Sequence, residues 1–473
     1  MESTTEQEET IVAQNKMGTQ PVVPLLWKMG LPMILSMVLQ ALYNVVDTMF
    51  VINMGADGTQ GNIALSAAFP VQILMIAIGV GTGVGINAML SKSLGKGNCE
   101  TANKVAGNGL FLVVVLYAVF LLFGLFGAKP YMKLMSSDDK VIAMGTEYLQ
   151  ICCCASVGSL GFAVAERFLM STGKTVSSMV AQVTGAVLNI VLDYVFIYPL
   201  GMGIAGAAYA TIIGQIVSFV VAMTIHYLAN KEIDGNLKYV KPSGKIIGQI
   251  YKFGLSAFLM QASLSVMMFG VLLIIGTIDD EYTVNLLSGS YGIYYKLMQT
   301  ALFASFGLSN TLISLVSYNY GMGNVLRVKQ IVKWGIIDTV IVTAVITVVF
   351  QVFAVPVSQL FALTVDETSA VAKSDILQVC QTALHIATTG YVFMGFSVAV
   401  QGALQGLGKV YSPLILSLLR SIVFVFPVAY LFTTGSNVVT TIWWTFPIAE
   451  VATAVVAAWY IWRAIKTAEI VIE

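Results

Sequence analysis

Residues 109–128 read GLFLVVVLYAVFLLFGLFGA, twenty consecutive positions without a charged side chain. As an α-helix, a segment of this length crosses a hydrocarbon layer about 30 Å thick, because each helical residue rises about 1.5 Å. Apolar stretches of similar length recur from Leu25 to Trp462 and take up nearly the whole chain. The sequence therefore predicts an all-α integral membrane protein.

The composition agrees with a lipid environment. Of the 473 residues, 57% are hydrophobic and 10% are charged, whereas charged residues make up about 25% of soluble globular proteins. The sequence lacks the period-two alternation of a membrane barrel, and a helix satisfies its own backbone groups in lipid. A formal net charge of +0 indicates that nucleic acid is not a partner.

About twelve transmembrane helices are predicted, over residues 24–54, 61–91, 103–128, 141–163, 174–199, 203–228, 246–276, 286–317, 329–353, 376–400, 406–432 and 439–463. Lys and Arg decide their orientation, because positively charged loops stay in the cytoplasm. Of the 24 Lys and Arg residues, eighteen lie at the termini or near loops that follow even-numbered helices, and four lie in the opposite loops. We therefore expect a multi-pass protein of the cell membrane with both termini in the cytoplasm.

Short motifs of the first half recur in the second half in the same order. KMGL at 28–31 resembles KFGL at 252–255, GKGN at 95–98 resembles GMGN at 321–324, and LMSTGK at 169–174 resembles LQGLGK at 404–409. Six helices return each half to the same side, so the halves are expected to be parallel repeats with a central cavity between them. The predicted organisation is a cytoplasmic tail over 1–23, an N-lobe over 24–229, a cytoplasmic linker over 230–245, a C-lobe over 246–465 and a cytoplasmic tail over 466–473.

Two acidic residues fall inside predicted transmembrane helices at a shared depth. Asp47 and Asp193 lie about seven residues before the outer ends of their helices, or about 10 Å below the surface. Asn44 and Asn189 lie one turn earlier on the same helix faces. Tyr148 and Thr211 reach a similar depth as further members of the site, and Gln150 as a residue of the cavity. Carboxylate, amide and hydroxyl oxygens suit Na⁺ or a shared proton, so the sequence predicts a cation-coupling site in the N-lobe.

The second half lacks this pair of acids, because Val271 and Val428 stand in the corresponding places. Its candidate substrate or cavity residues are the polar groups inside predicted helices, namely Lys296, His385, Arg420 and Glu450. For these an internal salt bridge is favoured over substrate contact, and a Lys296–Glu450 pair is one possibility.

Three other ionisable residues lie near the cytoplasmic ends of predicted helices. Glu166 and Asp338 are expected in solvent, and His226 is expected at the surface.

Several longer motifs give the chain a family resemblance over nearly its whole length. They are GLP at 30–32, YN at 43–44 with Asp47, the two GxGN loops, LNIVLD at 188–193 and GIAGAAYAT at 203–211. Together they resemble the multidrug and toxic compound extrusion (MATE) family. The resemblance implies that Asp47, Asn189 and Asp193 line a cation site. Because the predicted seventh and tenth helices contain neither Asp nor Glu, the chain is most similar to the bacterial and archaeal branch.

The resemblance implies a secondary active transporter that exports drugs or toxic organic compounds, often cationic and amphipathic, by antiport with H⁺ or Na⁺. Its partners would be these small molecules and membrane lipid, with no cofactor, and it would function as a monomer. One alternative is a flippase for a lipid-linked saccharide from the same wider superfamily, for which a more cationic cavity is expected. Another is a membrane-embedded enzyme, which needs a nucleophile with a base or a metal cluster, and no catalytic residue of that kind is expected here.

Overall fold

The computed structural model describes residues 15–54, 58–234, 237–362, 371–435 and 437–472, and the regular elements within these ranges are helices. Eleven helices there are long and apolar enough to span a membrane. A further bent pair of helices, joined at 42°, brings the number to twelve. The all-α membrane architecture predicted from hydropathy is confirmed.

In chain order the spans are α1 Val22–Ile52, α2 Gly58–Gly95, α3 Cys99–Met135, α4 Asp139–Cys154 with Val157–Met170, α5 Thr175–Ile197, α6 Gly203–Ala229, α7 Gly244–Ile275, α8 Glu281–Gly321, α9 Val325–Val352, α10 Lys373–Gly406, α11 Tyr411–Thr433 and α12 Val438–Lys466. Three shorter helices are Lys16–Thr19 before α1, Leu237–Tyr239 in the linker and Ala354–Ala362 after α9. Several spans, α3 and α8 above all, extend beyond their predicted bounds, because hydropathy marks only the part of a helix that lies in lipid.

The repeated GxGN motif forms the same turn in both halves. Gly97 and Gly323 have φ values of +72° and +75°, a left-handed conformation that glycine adopts without a steric penalty. The asparagine that follows each glycine caps the next helix, with Asn98 accepting from the Thr101 amide at 2.8 Å and Asn324 from the Arg327 amide at 3.0 Å. The internal repeat read from the sequence is therefore also a repeat of backbone geometry.

Two spans contain a π-helical turn, at Phe123–Gly127 in α3 and at Leu419–Val423 in α11. A π turn inserts one extra residue into the helix and redirects the side chains that follow it. In α11 the inserted turn includes Arg420, which is 5% exposed. The chain thus directs a charged side chain into the C-lobe instead of into lipid.

The helices pack as two lobes, α1–α6 and α7–α12. In the N-lobe α5 packs against α1 and α6, and in the C-lobe α10 packs against α8, α9 and α12. The lobes meet where α1 and α2 contact α7 and α8. This arrangement leaves a cavity between the lobes, as the parallel repeat predicts.

Close helix approach holds the lobes together in the half of the molecule where α1 begins and α12 ends. A Cβ atom built on Gly85 of α2 would lie 2.0 Å from the Ile250 carbonyl oxygen of α7, and one on Gly254 would lie 2.1 Å from the Gly81 carbonyl oxygen. A Cβ atom on Gly95 would likewise lie 2.0 Å from the Tyr318 carbonyl oxygen of α8. Glycine at these positions lets the backbones of opposite lobes touch. We call this half the terminal side.

The segment before α1 adds to closure on the terminal side. Asn15 donates to Glu232 of the linker at 2.7 Å. In the C-lobe, Asn319 and Arg327 donate to the Met17 carbonyl oxygen at 3.0 and 3.1 Å. Met17 itself is 0% exposed. The N-terminal segment is therefore bonded to both the linker and the C-lobe.

Candidate functional site

Helix packing in the N-lobe brings the predicted coupling residues together. Asp47 lies on α1, Asn189 and Asp193 lie one turn apart on α5, and Thr211 lies on α6. Helix α5 packs against both other helices, and it brings Asn189 to Thr211 and Asp193 near Asp47. Asp193 is 0% exposed and Asn189 is 3% exposed. The two carboxylates lie near enough for each to feel the charge of the other, and their joint role as a coupling site stays a prediction.

The oxygen atoms of this group are largely unpaired within the described residues. Asn189 donates to the Thr211 hydroxyl at 3.5 Å. Its own carbonyl oxygen, both carboxylate oxygens of Asp193 and Oδ1 of Asp47 are buried without a hydrogen-bond partner there. Buried acceptors without donors are costly, and two adjacent carboxylates cannot both be ionised without a balancing cation. The group is therefore suited to bind a proton or a monovalent cation.

Tyrosine and glutamine side chains complete the surroundings of Asp47. Tyr43, one turn earlier on α1, interacts electrostatically with both carboxylates. Tyr148 is 1% exposed, interacts electrostatically with Asp47, and accepts a hydrogen bond from Gln72 Nε2 of α2 at 2.6 Å. Tyr148 is among the site residues predicted from the sequence, whereas Tyr43 enters there only as part of the YN motif and Gln72 does not enter at all. The four-residue spacing of Tyr43 and Asp47 was the available signal for Tyr43, and Gln72 had none.

The coupling group adjoins the wall of the central cavity. The cavity has an empty volume of about 1280 Å³, including the part open to solvent, and residues of both lobes line it. Tyr43, Asn189 and Thr211 belong to its wall. Much of the remaining lining is soft and aromatic: Met37, Met75, Met260, Phe162, Phe303 and Phe306. Asp47 and Asp193 are not among the lining residues, so an ion bound at their carboxylates would lie beside the wall of the cavity and not within it.

Five residues predicted for the substrate cavity, Gln150, Lys296, His385, Arg420 and Glu450, are not among those that line it. Gln150 is exposed and lines a separate pocket with Lys129 and Lys133. His385 is exposed and its Nδ1 lies 2.9 Å from Gln351 Oε1. Equal depth along a helix does not fix the direction of a side chain, and these two point away from the lobe interface.

The ion pair of the C-lobe differs from the suggested Lys296–Glu450 pair. Glu450 Oε1 accepts from Arg420 Nε at 2.7 Å, and both side chains are buried. The π turn of α11 positions Arg420 for this contact. An internal salt bridge in the C-lobe is thus present, although its cationic member is Arg420.

The three ionisable residues expected in solvent or at the surface are buried. Glu166 is 4% exposed, Asp338 is 3% exposed and His226 is 1% exposed. The second part of α4 packs against α2 and α6, which covers Glu166 despite its place near a helix end. His226 Nδ1 lies 3.2 Å from Asn230 Nδ2, and the imidazole ring packs against the ring of Phe168. Position within a helix was therefore a poor guide to burial on the terminal side.

The place of Asn44 in the cation-coupling site remains a sequence prediction, because its side chain lies outside the described part of the structure.

Comparison with known proteins agrees with this architecture. The MatE family model matches residues 32–195 and 256–431, one segment in each lobe. The multidrug export protein MepA of Staphylococcus saprophyticus is 26% identical over 430 residues, covering 90% of this chain and 91% of that protein. MepA of a bovine strain of Staphylococcus aureus is 24% identical over 438 residues, covering 92% of this chain and 93% of that protein.

Solved structures share the fold across both lobes. A structure of MATE in complex with MaL6 superposes with a TM-score of 0.88 at 24% identity, covering 96% of this chain and 98% of that one. An outward-facing multidrug resistance MATE family transporter superposes with a TM-score of 0.86 at 25% identity, covering 95% of this chain and 99% of that one. Since the family model matches well over half of the residues, the chain belongs to the MatE family of efflux transporters.

Proposed function

We propose that this protein exports small organic compounds, often cationic and amphipathic, in exchange for H⁺ or Na⁺ that binds at Asp47 and Asp193. The observation that carries the proposal is the set of buried, unpaired carboxylate oxygens on these residues beside the cavity wall. The family supports transport, and the curated relatives are named multidrug export proteins. The protein would lie in the cell membrane and act as a monomer.

The proposed direction of transport follows from the side on which the lobes are closed. The close glycine contacts and the bonded N-terminal segment lie on the terminal side, which the distribution of Lys and Arg assigns to the cytoplasm. The structure would then represent a state that faces outward, in keeping with its similarity to an outward-facing family member. A coupling cation arriving from outside would reach the carboxylates through the cavity.

Coupling requires that the cation and the exported compound favour different states of the protein, since a ligand with equal affinity for both states shifts nothing. In the proposed cycle, cation binding at Asp47 and Asp193 draws α1 and α5 together and narrows the cavity, which displaces the exported compound outward. Helix α1 is the element that links both events, because it carries Asp47 and contacts α8 of the other lobe.

The coupling ion is tested in proteoliposomes that contain the purified protein. Accumulation of ethidium is measured under an imposed Na⁺ gradient with no pH difference, and then under an imposed pH gradient without Na⁺. Concentrative transport under one gradient supports antiport and identifies the ion. Absence of concentrative transport under both gradients would refute the proposed exchange.

A further inference from the structure

The closed end of the central cavity carries the charged side chains of its lining. Among the described residues that line the cavity, the ionisable acid and base are Glu166 and Arg167, adjacent on α4. They are 4% and 3% exposed. The other polar residues of the wall are mostly neutral amides: Gln40, Gln182, Asn189, Gln215, Gln261, Asn310 and Gln405. Within the wall itself, these two side chains are therefore the ones that can balance a charge on a bound molecule.

Glu166 is held by donors from its own lobe. One carboxylate oxygen lies 3.1 Å from Arg167 Nη2, and the other accepts from the Ser178 hydroxyl at 3.2 Å. A carboxylate buried to this degree needs a cationic partner, because removing one member of a buried ion pair leaves the other charge uncompensated. Arg167 is that partner in this structure, in which the lobes are closed on the terminal side.

Arg167 also bonds across the lobe interface. Its Nη1 donates to Asn310 Oδ1 of α8 at 3.2 Å and lies 3.2 Å from Met170 Sδ. Its Nε has no hydrogen-bond partner within the described residues. If the lobes separated on the terminal side, Asn310 would move away with the C-lobe, and Arg167 would lose its hydrogen bond across the interface.

The cavity around this pair fits an apolar cation. Phe162 lies one turn before Glu166 on α4, and Phe303 and Phe306 line the opposite wall. Aromatic faces attract organic cations, and methionine adapts to ligands of different shapes. A lipophilic cation entering from the terminal side would thus find a carboxylate with apolar surroundings.

We propose that Glu166 binds the cationic group of the substrate when the cavity is open to the terminal side, and that Arg167 takes this place when that side closes. One cation replaces another at the same carboxylate, so Glu166 has a partner in both states. Closure brings Asn310 back, repositions Arg167 over Glu166 and displaces the substrate toward the opposite opening. This inference rests on the proposed export of cations and names the residue that selects them.

The test is equilibrium binding to purified protein in detergent, without any ion gradient. The probes are tetraphenylphosphonium, a permanent lipophilic cation, and triphenylphosphine oxide, an uncharged molecule of related shape. Glu166→Gln is expected to weaken tetraphenylphosphonium binding at least tenfold and to leave triphenylphosphine oxide binding unchanged. Arg167→Gln is expected to strengthen tetraphenylphosphonium binding, because it removes the competing cation while keeping a donor for Asn310.

The opposite signs distinguish this role from a structural one. If the pair only stabilised the fold, both variants would weaken the binding of both probes, and that result would overturn the proposal. Equal affinity of Glu166→Gln and the unmodified protein for tetraphenylphosphonium would also overturn it. Glu147→Gln, the same change at an exposed position of α4, serves as the matched control, and thermal unfolding in detergent confirms that each variant is folded.

The assay separates this proposal from the proposed exchange. Because no gradient is applied, unchanged binding in Glu166→Gln together with ion-driven transport in proteoliposomes would refute the role of Glu166 alone. Loss of binding in Glu166→Gln together with absence of ion-driven transport by the unmodified protein would support Glu166 and refute the exchange.

Discussion

Removing one member of the buried C-lobe ion pair should destabilise the protein far more than removing both. Arg420 and Glu450 lie 2.7 Å apart, with side chains 6% and 11% exposed. Glu450→Gln leaves a buried guanidinium without its counter-charge, which costs about 3–5 kcal/mol. The double variant Arg420→Met with Glu450→Gln buries no charge, so it should recover most of the loss.

The assay is unfolding of purified protein in mixed micelles of dodecyl maltoside with increasing SDS, followed by circular dichroism. The matched control is Asp234→Asn, which breaks the Lys238–Asp234 pair at 3.6 Å, with side chains 58% and 47% exposed. An exposed pair of this kind contributes about 0–1 kcal/mol. If Glu450→Gln and the control lose the same free energy of unfolding, or if the double variant is as unstable as the single one, the structural role assigned to the pair is wrong.

Two further predictions concern the lobe interface and the topology. Gly85→Leu should prevent the lobes from closing on the terminal side and reduce ethidium transport at least tenfold, because even a Cβ atom at this position would lie 2.0 Å from the Ile250 carbonyl oxygen. Gly248→Ala is the control and should transport normally, because a Cβ atom there would have no neighbour within 4 Å. Equal transport rates for both variants would contradict the close contact between the lobes. In a cysteine-free background, an impermeant maleimide should label Asp139→Cys and spare Lys409→Cys in intact cells, and the reverse pattern would refute cytoplasmic termini.

The spans were predictable because a backbone in lipid must satisfy its own hydrogen bonds, which a long apolar helix does. Hydropathy located the twelve spans, and the GxGN and LxxxGK motifs located the repeat, since each motif encodes a turn that needs glycine. The true ends of α3 and α8 were not predictable from hydropathy, because caps such as Asn98 and Asp280 set where a helix begins. The π turn at Leu419–Val423 left no signal in the apolar pattern.

The candidate site was predictable only in part, for a geometric reason. Asp47 and Asp193 stood out because a charge in a transmembrane helix is costly and their helices place them at one depth. Depth does not give direction around the helix axis, so depth alone predicts Gln150 in the central cavity, whereas its side chain lines a separate pocket. The burial of Glu166 was not predictable from its place near a helix end, because it depends on how α4 packs against α2 and α6.

The central claim is that the carboxylates of Asp47 and Asp193 couple an ion to export. The most direct measurement compares uphill ethidium transport with gradient-free ethidium binding in Asp47→Asn and Asp193→Asn, reconstituted beside the unmodified protein. We expect either substitution to abolish uphill transport while ethidium still binds, because asparagine keeps the shape and hydrogen bonding of the side chain and loses only its charge. Uphill transport by Asp47→Asn at the unmodified rate would contradict the claim.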